Sequence, residues 1–131
     1  MINACFAGII VGIFLYSAFF SASKANHPVP SVFTEITGMA SPSLGLSRSF
    51  SELVQGKVAA AREYNPYGIR VFLFFVFQLV LRGVTSFLIF RNPEQMRIII
   101  RTDVLLSGMS FIVVFWPFIQ FFGDVVRELV I

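Results

Sequence analysis

The chain has 131 residues, enough for one domain, of which 56% are hydrophobic and 13% charged, with a mean hydropathy of +0.82. A soluble domain carries roughly 25% charged residues, and 17 phenylalanines are more than a soluble core this small covers. The net charge of +3 comes from scattered basic residues rather than the clustered face that nucleic acid demands, and a single cysteine, Cys5, leaves no intramolecular disulfide or Cys-rich metal site.

Met1 to Ser23 carries no charge, and Cys5 to Phe20 is almost wholly apolar. About 20 such residues cross a hydrocarbon core of roughly 30 Å, so a first span is expected over about 2–23. Ser21-Ala22-Ser23 would suit a signal-peptide cleavage site, but a basic n-region is missing. The expectation is therefore an uncleaved span.

Residues 24–67 are the polar stretch. Pro28, Pro30 and Pro42 lie among Ser, Thr and Gly38, which is loop chemistry. Ser49-Phe50-Ser51-Glu52 reads as a capping box opening a helix. Gly56 interrupts the pattern, Ala59 to Glu63 are strong helix formers, and Asn65-Pro66 stops them. One or two short helices are expected, either lying at the membrane surface or packed as a cap on the spans.

The second span is expected over 69–90, interrupted by Arg82. Arg91-Asn92-Pro93-Glu94 makes a turn and a restart, with Asn92 as N-cap and proline in the first turn. A third helix then begins near Pro93, and its membrane-buried part runs over about 102–123. Trp116 and Pro117 lie within it, and Asp124, Arg127 and Glu128 mark its exit. Arg91, Arg97 and Arg101 are denser beside span ends than Lys24, Arg48, Lys57, Arg62 and Arg70 in the longer first loop. That density favours a cytoplasmic second loop and an inside N-terminus.

The catalytic inventory is thin. Hydrolysis needs a nucleophile and a base within reach, yet the chain has one histidine, His27, in the loop, and two aspartates, Asp103 and Asp124. Three or four metal ligands cannot be assembled from His27 and Cys5. Arg82 is more informative, because a charge within a span costs about 2.5–3.5 kcal/mol or more. Antiparallel pairing of the second and third helices sets it level with residues 101–103. A structural ion pair between Arg82 and Asp103 is expected, with Gln78 one turn away on the same face. A partner subunit or snorkelling to the headgroups are the alternatives.

Phe72, Phe74, Phe75 and Phe77 surround the second helix, and Phe111, Phe115, Phe118, Phe121 and Phe122 the third. Lipid contact and helix packing explain them more simply than a pigment or quinone pocket. Gly8 and Gly12 have the small-xxx-small spacing that lets helices approach, so the first span is a candidate helix-packing surface.

Ser41-Pro42-Ser43-Leu44-Gly45-Leu46-Ser47-Arg48-Ser49-Phe50, followed by Leu53, Gly56, Ala59 to Ala61, Asn65-Pro66 and Gly68, resembles the signature of an uncharacterised bacterial membrane-protein family, a domain of unknown function. That signature reads Cys-Pro-x-Cys-Gly-Leu-Thr-Arg-Ala-Phe. This chain has Ser41 and Leu44 where the family has its two cysteines, so a thiol, redox or metal role for that pair does not carry over. What the resemblance implies is an architectural motif of Pro42, Gly45, Arg48, Gly56, Asn65 and Pro66, in a bacterial cytoplasmic-membrane protein.

The expected fold is all-α and integral to the membrane: a single polytopic domain over 1–131, with three transmembrane helices and an interfacial helical region over 24–67. The expected function is non-catalytic, that of a small subunit in a larger membrane complex. Its expected partners are other integral membrane subunits and lipids, with bound lipid and no cofactor. A transport or channel component acting as an oligomer is the alternative, with Arg82, Gln78, Asp103 and Gln120 lining a polar path. A small membrane enzyme or redox helper, using Arg48 and His27 to bind an anion, stands third.

Overall fold

A computed structural model of the chain describes residues 2–19 and 42–130. Its elements are α1 (Ile2–Phe19), α2 (Leu46–Val54), α3 (Val58–Tyr64), α4 (Gly68–Arg91), a 3-10 turn (Pro93–Gln95) and α5 (Met96–Val130). His27, Pro28 and Pro30, the rest of the loop to Ser41, and the end of the expected first span lie outside the described residues.

Two helices are long and apolar enough to cross a membrane, Gly68–Arg91 and Pro93–Arg127. At 1.5 Å per residue, α4 is about 36 Å long and α5 about 52 Å. The core helix of a soluble protein would be mostly buried. Here only 11% and 6% of the most apolar stretches of these two helices are buried within the chain. The sequence predicts three spans; the first is present as an apolar helix described over 18 residues, Ile2–Phe19, and the rest of its expected range lies outside the described residues.

α4 is the hub of the fold. It contacts α1, α2, α3 and α5, whereas α5 touches only α4 and the 3-10 turn among the described elements. Both long neighbours run antiparallel to it. Phe14 of α1 meets Phe72 with ring centroids 5.0 Å apart, and Asn3 reaches Arg82. On the other side Tyr67 meets Phe118 at 5.7 Å, while Phe74 meets Phe111 and Phe115 at 6.2 and 5.3 Å.

This two-sided packing explains why the α4 phenylalanines follow no single stripe. Phe72 and Phe75 turn toward α1 and α2, where both meet Phe50 edge-on. Phe74 faces α5, and Phe77 is exposed. Edge-to-face rings add about 0.5–1.5 kcal/mol per pair beyond their burial.

The turn into α5 falls where the sequence placed it. Asn92 has φ −131° and precedes Pro93 in the first turn, but its side chain makes no capping hydrogen bond. α5 continues through Pro117 and passes the level of the α4 start by roughly 18 Å.

Candidate functional site

The start of α2 differs from the sequence expectation. Ser49 is not an N-cap; it lies one turn inside the helix, its amide donating to the Gly45 carbonyl at 2.9 Å. The helix instead starts from a turn in which the Leu46 amide donates to the Ser43 carbonyl at 3.1 Å. Gly45 holds the third position of that turn at φ 76°, ψ 3°, the left-handed values that a type II turn requires. A Cβ there would also run into the backbone carbonyl of Tyr64. Glu52 faces Lys57 at 3.8 Å instead of closing a capping box.

Gly56 ends α2. At φ 78° its amide donates to Leu53 at 3.0 Å, and the Lys57 amide donates to Glu52 at 2.9 Å. This is the Schellman arrangement, in which glycine satisfies the orphan carbonyls of a helix end.

Asn65 then ties both ends of the polar region together. Its Nδ2 donates to the carbonyls of Pro42 at 2.7 Å and Leu44 at 2.8 Å, and its Oδ1 accepts the Tyr67 amide at 2.8 Å. The residue is 2% exposed, so three backbone groups depend on one buried side chain. Pro66 is exposed and follows at the junction into α4. Arg48 is half-buried and makes no hydrogen bond or ion pair among the described residues. Ser49 packs under α4: its Oγ would meet any Cβ placed on Gly68. That hydroxyl is fully buried and has no hydrogen-bond partner among the described residues.

The second polar group lies near the middle of α4. Gln78, Arg82 and Thr85 recur at three- and four-residue spacing, so they share one face. The structure brings Arg82 and Asp103 together, with Nη1 2.7 Å from Oδ2 and the two side chains 12% and 7% exposed. Nη1 also donates to Asn3 Oδ1 at 3.2 Å, and Nη2 to Gln78 Oε1 at 3.2 Å and to Ser107 Oγ. Thr85 donates to the other Asp103 oxygen at 3.0 Å. Gln78 continues the chain, donating to Ser110 at 3.1 Å and accepting from Ser107 at 3.2 Å.

The guanidinium is thus held inward by acceptors on α1, α4 and α5, and does not snorkel. A planar fork with five donors suits such a cluster better than an ammonium group. The Arg82–Asp103 pairing was legible from spacing. Asn3, Thr85, Ser107 and Ser110 were not, because small polar residues in an apolar helix carry no periodic signal of their own.

Among the described residues Gly8 and Gly12 play no such role. A Cβ at either would meet nothing within 4 Å, so they do not bring α1 close to another described helix. Gly12 instead lines an open apolar groove of about 490 Å³ between α1 and α2, with Ile9, Ile13, Phe50 and Phe75. Among the described residues no three His, Cys, Asp or Glu side chains are grouped to hold a metal ion.

No curated protein and no solved structure matches the chain. Residues 31–79 match the family model described as a protein of unknown function, DUF2752, a stretch that includes the Gly45 turn, α2, α3, the Asn65 clamp and the first half of α4 and stops short of Arg82.

Proposed function

We propose that this chain is a non-catalytic, multi-pass subunit of a larger integral membrane complex, most simply in a bacterial cytoplasmic membrane, with α1 as a third span. One observation carries the reading: among the described elements α5 packs only on α4 and the 3-10 turn, and it leaves an apolar surface along its length, including Leu105, Met109, Ile112, Val113 and Trp116. Lipid covers part of such a surface, and helices of neighbouring subunits fit the rest. The polar groups favour the same reading. The Arg82 network is internally satisfied, as a structural fastening is: the Asp103 carboxylate is held by Arg82 and Thr85.

A transport role would use the same residues, Gln78, Arg82 and Asp103, as a polar path in an oligomer. Their saturation by one another argues against it, since a path must exchange partners with a passing solute.

The test is purification of the chain from its native membranes in mild detergent, followed by mass spectrometry of what stays bound. A defined set of membrane partners at constant ratio supports the subunit reading. Elution alone, or only with copies of itself, refutes it, and solute flux in liposomes holding only this chain then tests the transport role.

A further inference from the structure

Pro117 has no amide proton, so the Val113 carbonyl one turn earlier loses its helical partner. Arg70 supplies a replacement from the neighbouring helix, its Nη2 lying 3.4 Å from that carbonyl, at the long end of a hydrogen bond. Around this contact is a notch of about 280 Å³ lined by Arg70, Ile112, Val113, Trp116 and Pro117. We infer that this notch binds the anionic phosphodiester of a membrane phospholipid, with Arg70 on the phosphate and an acyl chain along Ile112 and Val113.

Three features of the site lead there. Arg70 is exposed, and the Val113 carbonyl is its one partner among the described residues. Most of its fork is therefore open to a phosphate, which it matches in geometry. The indole of Trp116 is 52% exposed, and its N–H has no partner among the described residues. Trp, apolar with one polar handle, belongs at headgroup depth. Arg70 also lies in the first turn of α4, which contains no acidic residue. A cation there adds to the positive end of the helix dipole, and a bound anion relieves that repulsion.

Depth separates a lipid from a free anion. Arg70 lies in the first turn of α4, directly before the apolar run from Val71, with the charged Arg62 and Glu63 on the preceding α3. The lining of the notch is one cation, Arg70, among apolar Ile112, Val113, Trp116 and Pro117, which suits a headgroup with its chain attached. The inference shares with the proposed function only the premise that the chain resides in a membrane. It is tested on the isolated protein, so its failure leaves the subunit reading standing, and the reverse also holds.

Trp116 is the chain's single tryptophan and therefore a built-in reporter. The protein is placed in phosphatidylcholine bicelles, and its emission is titrated with phosphatidylglycerol carrying a spin label near the headgroup. The same label on phosphatidylcholine is the control. The expected result is quenching by phosphatidylglycerol at concentrations at least about tenfold lower, the equivalent of one charge-assisted contact.

Arg70→Gln removes that preference. Val113→Phe, which fills the notch and leaves Arg70 in place, removes it too and covers the case in which Arg70→Gln fails to fold. Arg91→Gln, at the far end of α4, keeps it. Equal quenching by both lipids overturns the inference, as does a preference that survives in folded Arg70→Gln. Displacement of the labelled lipid by inorganic phosphate alone assigns the notch to a free anion and overturns the lipid assignment.

Discussion

Asp103→Asn preserves the shape of the Arg82 partner and removes its charge. Leaving one member of a buried ion pair uncompensated costs about 3–5 kcal/mol. Arg82 would still have acceptors on Asn3, Gln78 and Ser107, so the loss falls near the lower bound, about 3 kcal/mol. Arg82→Met leaves the Asp103 carboxylate with only the Thr85 hydroxyl, and about 4 kcal/mol is expected. In the double variant no charge remains, and the amide introduced by Asp103→Asn can still bond Thr85. The cost should fall to about 2 kcal/mol, that of the hydrogen bonds lost by Asn3, Gln78 and Ser107. The cycle is read by unfolding each variant in mixed micelles while following Trp116 fluorescence. Strong coupling, with the double variant more stable than either single one, is the expected outcome. Additive losses, with the double variant near the sum of the two, would refute the account of these residues as one charge-neutral unit.

The polar region makes three further predictions. Asn65→Ala strands the carbonyls of Pro42 and Leu44 and the Tyr67 amide, and should cost about 2–4 kcal/mol; limited proteolysis should then cut within residues 42–67 while α4 and α5 stay protected. Gly45→Ala should destabilise by at least about 2 kcal/mol more than Gly56→Ala, because both have positive φ but only Gly45 faces the Tyr64 backbone; equal thermal shifts would contradict this. Ser49→Ala removes a buried hydroxyl that has no partner among the described residues, so it should be neutral or stabilising by up to about 1 kcal/mol, and a clear fall in unfolding temperature would show that the hydroxyl has a partner.

How much of this was legible in the sequence depended on how much each feature constrains its surroundings. A charge inside an apolar helix must be neutralised, and Asn92-Pro93 fixes where the hairpin turns. Together these placed Arg82 opposite Asp103 before any coordinates. Gly56 and Asn65-Pro66 were readable as breaks, since glycine and proline act through backbone sterics that hold in most contexts. The start of α2 was not readable. Ser49 and Glu52 fit a capping pattern, but the turn at Gly45 begins the helix about one turn earlier, and a buried serine against Gly68 looks the same in sequence as a capping one. Gly8 and Gly12 fit a packing motif, but no described helix closes on them; small residues permit close approach and do not cause it. The Arg70–Val113 contact joins residues 43 apart and depends on a proton that Pro117 lacks, which no spacing rule registers.

The position of the charge pair has a consequence for how the chain is made. Arg82 is synthesised 21 residues before Asp103 and 79 residues after Asn3. At roughly 5–20 residues per second, the arginine waits about 1–4 s for its carboxylate. During that interval α4 is an apolar helix with a bare cation near its middle, poorly suited to enter lipid alone. The costs fall once α5 has emerged far enough to fold back. The two helices are therefore expected to leave the insertion machinery as a preformed hairpin, with α1, already delivered, docking on it last through Asn3. An arrest after α4, before Asp103 has been made, should hold the nascent chain at the membrane gate.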